Sequence, residues 1–423
     1  MSEFSRRSFL AGASASAFTI VKPELVRGAG DEKLKAGVIG CGGRGTQAVE
    51  NILTGCPNVE LISMADAFED RLEKSIRQLQ GGKFADRIKV DAEHRFTGFD
   101  GFQKVLASDI NIVILATPPG YRPEHFEAAV NAKKHVFCEK PFGTDAVGVR
   151  RFMDAAKKSE ELKLTVKSGA QRRSQKEYLA AYRQLKDGKY GDIVSCNAYW
   201  VGSPVLQFNA WPTKKRDPKW SDMEFQNRSW YSFVWICGDQ IVEQHLHNID
   251  VCNWFMGGHP VKVVASGGAA WRPREEEYGN IFDHISADFV YPNGVHMSSY
   301  CRQYRPRAAQ NVSELIVGTK GRIDTFNNPE FKSLGEGGIN PYVQEHIDMV
   351  DSIMGKGPYL NEAMTVAETT MTCIMGREAA YSGLEVTWDM MMQSKQDLVP
   401  KNMDMKASIP VPPLPVPGEY KFI

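Results

Sequence analysis

The apolar residues in the first third of this chain form short, near-continuous runs that alternate with stretches of helical periodicity. Such runs cover residues 34–40, 59–65 and 110–116, and an amphipathic helical pattern covers 69–80. Runs that are apolar at nearly every position are typical of strands that a parallel sheet buries on both faces. The alternation therefore predicts an α/β Rossmann domain, built on a doubly wound parallel sheet, over residues 31–145.

The pattern changes after this point, where the runs become rich in β-branched and aromatic residues. Asn293-Gly294 separates two of these runs and is a strong signal for a hairpin turn. The sequence therefore predicts an α+β C-terminal domain over residues 146–400, with a large open, mostly antiparallel sheet. Helices are expected at 344–354 and 363–382. The proline-rich residues 401–423 are expected to form an extended strap.

The composition narrows the classes of partner. A chain of 423 residues favours two domains over one core. Lys+Arg and Asp+Glu are equal at 51 each, so no basic excess points to nucleic acid or an anionic membrane surface. After the N-terminal segment no apolar run approaches about 20 residues, so no membrane span is predicted. The eight cysteines form no Cys-x-x-Cys pair, which argues against a zinc framework.

The N-terminus carries a pattern of its own. Ser5-Arg6-Arg7-Ser8-Phe9-Leu10 is followed by a weakly apolar run of alanine, serine and glycine, and the combination resembles a twin-arginine export signal. The alternative is a disordered basic N-terminus. We therefore expect residues 1–30 to be a signal and linker, and the mature protein to be periplasmic or exported.

A glycine-rich turn follows the first predicted strand. Its sequence is Gly40-Cys41-Gly42-Gly43-Arg44-Gly45, and a helical stretch begins directly after it. In this context the first glycine allows a tight turn, the second lets a pyrophosphate approach the backbone, and the third lets the helix pack on the strand. The free N–H groups of the helix N-terminus also favour phosphate. The turn predicts a dinucleotide site.

The next strand ends in Asp66, which is placed to accept a hydrogen bond from an adenosine ribose hydroxyl. A carboxylate at this position repels a 2′-phosphate, so NAD is favoured over NADP. Arg71 lies nearby and leaves NADP as an alternative. A surface role for Asp66 is the other interpretation.

Two further strands end in chemically distinctive turns. The apolar run 110–116 ends in Thr117-Pro118, and the run Val136-Phe137-Cys138 ends in Glu139-Lys140-Pro141. The proline stops this strand because it cannot donate to a sheet ladder. Open α/β sheets hold their ligands at the carboxyl ends of the strands. We therefore expect Thr117, Pro118, Glu139 and Lys140 beside the cofactor.

These motifs together resemble the Gfo/Idh/MocA family of sugar and inositol dehydrogenases. The resemblance rests on the glycine turn, on Ala116-Thr117-Pro118 with His125 downstream, and on His135-Val136 through Pro141, and it extends across the second domain. It implies NAD as cofactor, a sugar or cyclitol as substrate, Lys140 as a catalytic residue, and a dimer or tetramer formed through the open sheet.

The same resemblance places a general base at His247, within His247-Asn248-Ile249-Asp250. Where the family has an aspartate four residues earlier, this chain has Glu243. On one continuous helix Glu243, His247 and Asp250 share a face, and His245 is turned to the other side. Neighbouring carboxylates are then expected to stabilise the imidazolium form. An extended strand would instead bring the two histidines together as zinc ligands, and a third interpretation is that the histidines only fill the core.

Five of the eight tryptophans lie between residues 199 and 235, in a segment with little periodicity. Aromatic ring faces suit the C–H faces of a sugar, so this segment is a candidate ligand-binding lid. Core packing or an oligomer interface is the alternative. The candidate substrate contacts are Trp211, Trp230, Arg172, Asp250 and His245.

Two functional hypotheses follow from the sequence. In the first, His247 takes a hydroxyl proton, Lys140 paired with Glu139 stabilises the oxygen, and the protein is a simple NAD-dependent sugar or cyclitol dehydrogenase. In the second, an exported enzyme keeps its NAD bound and returns the hydride within the cycle. That would permit sugar–sugar oxidoreduction, epimerisation or glycoside cleavage through a 3-keto intermediate. A catalytically silent sugar-binding protein is disfavoured because both Lys140 and His247 are present.

Overall fold

A computed structural model describes residues 33–204, 216–304 and 308–422 of the chain. The predicted export signal and Trp211 lie outside the described residues. No helix within these ranges combines the length and the apolar character needed to span a membrane.

The first sheet has six strands, all parallel to their neighbours, in the order β3-β2-β1-β4-β5-β6. The order reverses between β1 and β4, and a ligand crevice opens at such a switch point. The strands are β1 (Leu34–Ile39), β2 (Val59–Asp66), β3 (Arg95–Thr97), β4 (Ile112–Leu115), β5 (His135–Cys138) and β6 (Val166–Ser168).

Five helices connect these strands and cover both faces of the sheet. β4 is buried at every position, as its uninterrupted apolar sequence requires. β6 belongs to the same sheet, which therefore extends past residue 145, where the sequence pattern places the domain boundary. The helices are α1 (Gly43–Gly55), α2 (Glu69–Gln80), α3 (Gly101–Ala107), α4 (Arg122–Asn131) and α5 (Ala146–Glu161).

The second sheet has seven strands in the order β12-β11-β7-β10-β9-β8-β13. Every neighbouring pair is antiparallel except β7 and β10, so the predicted open, mostly antiparallel sheet is confirmed. Gly294, at φ +80°, forms the predicted hairpin turn. The strands are β7 (Ile193–Gly202), β8 (Lys262–Gly268), β9 (His284–Val290), β10 (His296–Gln303), β11 (Asn311–Gly318), β12 (Gly321–Asp324) and β13 (Val386–Thr387).

The remaining helices join the two sheets. α12 packs on α1, whereas α13 lies between α5 and the inner face of the second sheet and is buried on nearly every side. The helices are α6 (Lys176–Lys186), α7 (Asp222–Arg228), α8 (Val234–Cys237), α9 (Gln240–Glu243), α10 (Leu246–Met256), α11 (Pro329–Ser333), α12 (Pro341–Ile353), α13 (Ala363–Ser382) and α14 (Trp388–Gln393).

The continuous helix expected around His247 is wrong. The chain bends between α9 and α10, where the N–H groups of Gln244 and His245 both donate to the carbonyl of Gln240. A contact with the second sheet stabilises the bend, since the His245 ring hydrogen-bonds to Ser299 on β10 at 2.8 Å. Residues before and after the bend therefore do not share the face that a straight helix would give them.

Candidate active site

A cavity of about 820 Å³ lies at the carboxyl edge of the first sheet. Its walls come from the glycine turn, the ends of β2, β4 and β5, and residues of the second domain. Among those that line it are Gly40, Gly42, Gly43, Arg44, Asp66, Thr117, Pro118, Glu139, Lys140, Glu243, His247 and Trp230. With Tyr342, which also lines the cavity, the structure brings together residues that lie about three hundred positions apart in the chain.

The glycine turn has the geometry that a bound pyrophosphate needs. Gly40 has φ +96°, and a Cβ there would lie 2.6 Å from the backbone of Ala116. A Cβ on Gly45 would overlap the carbonyl oxygen of Gly40, so only glycine allows α1 to approach the strand so closely. A Cβ on Gly43, in contrast, would meet nothing within 4 Å. The first turn of α1 also contains no acidic residue, and no side chain caps its N–H groups. These N–H groups and the open space in front of them form an anion cradle.

Asp66 lies at the end of β2, beside this cradle. Its carboxylate accepts hydrogen bonds from the N–H of Cys41 at 2.7 Å and of Phe68 at 2.9 Å. Burial raises the pKa of Asp66 above its ordinary value, and these two N–H donors and Arg71 oppose the increase. Arg71 and Lys74 line the same end of the cavity. The end of the cavity beside β2 therefore contains both a carboxylate, which favours NAD, and two cations that could bind the 2′-phosphate of NADP.

Glu139 and Lys140 point to different partners, so their predicted mutual pairing is wrong. Successive residues at a strand end project to opposite sides. Glu139 accepts from Nε of Arg44 in the glycine turn. The Arg44 guanidinium also donates to Glu345 on α12 at 3.1 Å and lies 4.8 Å from the centre of the Tyr342 ring. Glu139 thus ties the end of β5 to the glycine turn.

Lys140 is nearly buried, and its ammonium contacts Glu243 twice. Nζ donates to the backbone carbonyl of Glu243 and, at 3.1 Å, to its Oε1. An ammonium has three N–H donors, so one remains for a ligand in the cavity. The other carboxylate oxygen of Glu243, Oε2, is buried and has no partner among the described residues.

His247 also lines the cavity, and the nearby charges are positive, which corrects the expected stabilisation of its charged form. Burial lowers the pKa of His247 well below its ordinary value, and nearby positive charges, that of Lys140 first, lower it further. Glu243 is bound to Lys140 instead of His247. The His247 ring stacks on Trp200 at 6.0 Å, and its Nδ1 is buried without a partner in the described part of the chain. Burial and the positive charges both favour the neutral imidazole, which is the form that can accept a proton.

Only Trp230, among the four described candidates for substrate contact, lines the cavity. Arg172 is buried against Glu314 and lies over the Tyr178 ring. Asp250 is bound by both arms of Arg173 at 2.8 Å and by Thr369 at 3.0 Å. His245 contacts Ser299, as described above. Structural pairing accounts for these three side chains, and Asp250 is bound to Arg173 although it lies on the same helix as His247.

Several lining residues carried no recognisable signal in the sequence. Tyr342 belongs to α12, about 300 residues after the glycine turn, Asn227 belongs to the short helix α7, and Gln244 lies at the bend between α9 and α10. Only the packing of the two domains brings them to the cavity. Within the described ranges, no group of three or more histidine, cysteine or acidic side chains is arranged to bind a metal ion.

Two family models match the chain. The model described as an oxidoreductase family with an NAD-binding Rossmann fold covers residues 34–168, and the GFO/IDH/MocA C-terminal domain covers residues 178–324. The chain belongs to the Gfo/Idh/MocA oxidoreductase family. The matches include the whole first sheet and six of the seven strands of the second. The family, the fold and the NAD cofactor that the sequence predicted are thereby confirmed.

Individual proteins of known activity are more distant. The chain is 24% identical to myo-inositol 2-dehydrogenase of Thermotoga maritima over 297 residues, which are 70% of this chain and 75% of the relative. Scyllo-inositol dehydrogenase from Lactobacillus casei, solved with NAD(H) and scyllo-inositol, superposes with a TM-score of 0.64 at 20% identity, over 84% of this chain and 99% of that one. An aldose–aldose oxidoreductase from Caulobacter crescentus, complexed with glycerol, gives a TM-score of 0.61 at 16% identity, over 84% and 100%. At these identities the solved structures show the shared fold.

The residues of this Gfo/Idh/MocA chain fit the cofactor of the family. The open space at Gly43 and the uncapped N–H groups of α1 suit a pyrophosphate, and Nη1 of the neighbouring Arg44 is buried with no partner among the residues that the structure describes. When it is bound, the nicotinamide supplies the acceptor for a hydride. Lys140 and His247 line the same cavity.

The low pKa of His247 predicts an unusual pH dependence. A base with an ordinary histidine pKa of about 6.5 would lose activity as the pH falls through that value. Because the pKa of His247 is lowered, we expect the single-turnover rate of nicotinamide reduction to stay constant through this range and to decrease only at lower pH. A rate that falls with a midpoint near 6.5 would contradict the assignment of His247 as a neutral base with positive charges nearby.

Proposed function

We propose that this protein transfers a hydride between NAD and a CH–OH group of a sugar, a cyclitol or a glycoside. The observation that carries the proposal is that Lys140 and His247 line the same cavity as the anion cradle. Lys140 has a third N–H left for a ligand, and His247 provides an imidazole that can take a proton. The inositol substrates in the names of the relatives support the substrate class.

The chemistry follows from the positions of these side chains. A substrate hydroxyl beside Lys140 and His247 would receive the third N–H of Lys140 on its oxygen. His247, neutral because of burial and adjacent cations, would take the hydroxyl proton as the C–H bond breaks. The Lys140 ammonium would then stabilise the negative charge that develops on the oxygen. Glu243 would hold the ammonium in place through its carbonyl and carboxylate oxygens.

A redox-neutral cycle with retained NAD is the second candidate. The contacts of α7 across the cofactor cleft support it, because they would slow the release of NAD. This helix connects the second domain to both ends of the cofactor cleft. Asn227 accepts from the Tyr121 hydroxyl at 2.6 Å, beside the turn after β4. Arg228 pairs with both oxygens of Asp70 at 3.1 and 3.2 Å and lies 4.1 Å above the Phe68 ring, beside the end of β2. A dinucleotide in the cleft would have to pass these contacts to leave.

The C-terminal residues reinforce α7. The N–H of Met223 donates to the carbonyl of Ala407, and the amide of Gln226 donates to the carbonyl of Ile409. The proposed twin-arginine signal adds a second argument, because little free nicotinamide would be available to an exported enzyme. A retained cofactor would allow sugar–sugar oxidoreduction, epimerisation or cleavage through a 3-keto intermediate.

Mass analysis of the cofactor released from purified protein separates the two candidates. One NAD per chain, retained through dialysis, supports the redox-neutral cycle, whereas an empty protein that reduces added NAD supports the dehydrogenase. If α7 retains the cofactor, Arg228→Ala should speed NAD release roughly five- to tenfold, through loss of the ion pair and the ring contact. Arg216→Ala is the matched control, since Arg216 pairs with Asp222 inside the same segment. Equal release rates for both variants would argue against retention by α7.

We also propose that the protein is a homo-oligomer that uses the open face of the second sheet. Val264 is 48% exposed there, and Tyr300, 44% exposed, stacks on Tyr199 at 5.7 Å. Tyr300→Glu is expected to reduce the mass measured by light scattering to that of one chain. Tyr359→Glu, at an equally exposed aromatic residue outside the sheet, should leave it unchanged. A monomeric wild-type protein would refute the proposal.

A further inference from the structure

The two residues before α9 adopt a backbone conformation that is unusual for one of them. Gly238 has φ +84°, and Asp239 has φ +82° with ψ 163°. This region is populated almost only by glycine, and other residues stay in it only where the surroundings hold them. Such positions occur often at functional sites. Asp239 lies four residues before Glu243, the residue that contacts Lys140.

The Asp239 carboxylate is held from three directions. It is fully buried and accepts from the N–H of Gln240, from the N–H of Phe282 at 2.8 Å and from the Tyr381 hydroxyl on α13. Its backbone carbonyl in turn accepts from the N–H of Glu243 at 2.9 Å. Because α9 is a single turn, the position of Asp239 determines the position of Glu243.

A buried arginine on α13 contacts both the segment after Lys140 and the segment before Glu243. Arg377 on α13 is fully buried, and its Nη1 donates to the carbonyl of Gly238 at 3.0 Å and to the carbonyl of Thr144 at 2.6 Å. Thr144 follows Lys140 by four residues. One guanidinium therefore holds the segment after Lys140 and the segment before α9 at a common point. Its other arm is fixed by Glu378 at 2.7 Å.

We propose that Asp239 and Arg377 are positioning residues that hold the Lys140 ammonium against Glu243 and leave its third N–H directed into the cavity. The proposal rests on the role of Lys140 under the proposed function. Lysine has a long, flexible side chain, so its head group stays in one place only if its partners do. A displacement of about 1 Å at a reacting group can reduce the rate by roughly 10²-fold. Neither residue lines the cavity, so both act through Lys140 and Glu243.

Asp239→Gly is the most direct test, because glycine keeps the backbone conformation and removes only the carboxylate. The variant should retain NAD and keep its KM, while kcat falls roughly 10- to 100-fold. In the cofactor-free protein, the rate at which acetic anhydride modifies Lys140, measured by peptide mass spectrometry, should increase several-fold relative to that of Lys134. This second readout needs no turnover, so it tests whether Asp239 holds the Lys140 ammonium in place even if the proposed reaction is wrong.

Asp283→Asn is the matched control. Asp283 is also buried and accepts from two backbone N–H groups, those of Trp271 and Arg272, without contacting α9 or the segment after Lys140. In this variant we expect kcat and the Lys140 modification rate to equal those of the wild type. Only the thermal stability should decrease. If Asp239→Gly fails to fold, Tyr381→Phe removes a single donor from the same carboxylate and should shift both readouts in the same direction. Values for the tested variant that equal those of Asp283→Asn overturn the proposal.

Discussion

Replacement of Lys140 by methionine is expected to lower kcat by about 10³-fold while NAD remains bound, because the developing alkoxide loses the Lys140 ammonium. Methionine keeps the apolar stem and removes the charge. The loss should fall on kcat more than on KM, since the charge on oxygen develops in the transition state. Single-turnover measurement of nicotinamide reduction, with the bound cofactor quantified by mass, separates the chemical step from cofactor loss.

Lys134→Met is the control for this variant. Lys134 precedes the same strand and donates to the carbonyl of Ile110 at 2.8 Å, outside the cavity. Its replacement should leave kcat close to that of the wild type. Turnover by Lys140→Met at the wild-type rate, with NAD present, would exclude the proposed role of Lys140.

The second large effect is expected at His247. His247→Ala should lower kcat by about 10²- to 10⁴-fold, the range that a positioned general base contributes. Alanine leaves space beside Trp200, so added imidazole should restore part of the rate. The restored rate should follow the fraction of neutral imidazole in solution as the pH is varied, because the external base is not subject to the local pKa shift.

His259→Gln provides the comparison, since His259 stacks on Trp388 at 3.5 Å and lies outside the cavity. It should retain wild-type kcat and show no response to imidazole. An active His247→Ala variant would assign proton transfer to another group in the cavity, and Glu243, with its unpartnered Oε2, would be the next to replace.

The parts of the site that depend on local spacing could be predicted from the sequence. Gly40, Gly45 and Lys140 were identifiable because strand length, turn chemistry and the strand-ending proline all act within a few residues. The carboxyl ends of parallel strands meet at one edge, so the position of these residues beside a common crevice also followed. The two-sheet architecture was predictable for the same reason, since apolar periodicity reports the environment of each strand.

The parts that depend on tertiary contacts could not be predicted. The prediction assumes one straight helix through His247, but the chain bends between Glu243 and His247, beside the contact of His245 with Ser299. Asp250, which follows the bend, is bound to Arg173 and does not reach the site. The predicted charge state of His247 is wrong for a related reason. Glu243 is bound to Lys140 and Asp250 to Arg173, and the positive charges that lower the pKa of the imidazole come from distant segments.

The Arg44 guanidinium pairs with both Glu139 and Glu345, so one side chain joins the two domains. Arg44 belongs to the nucleotide-binding half and Glu345 to a helix contributed by the last quarter of the chain. Glu345 is fully buried, and that helix also covers an apolar surface of α1. Cutting the chain after β6 would expose this surface and leave the half-buried Arg44 without its Glu345 partner. The nucleotide-binding half is therefore not an autonomous module, although its strand order is that of a complete Rossmann sheet.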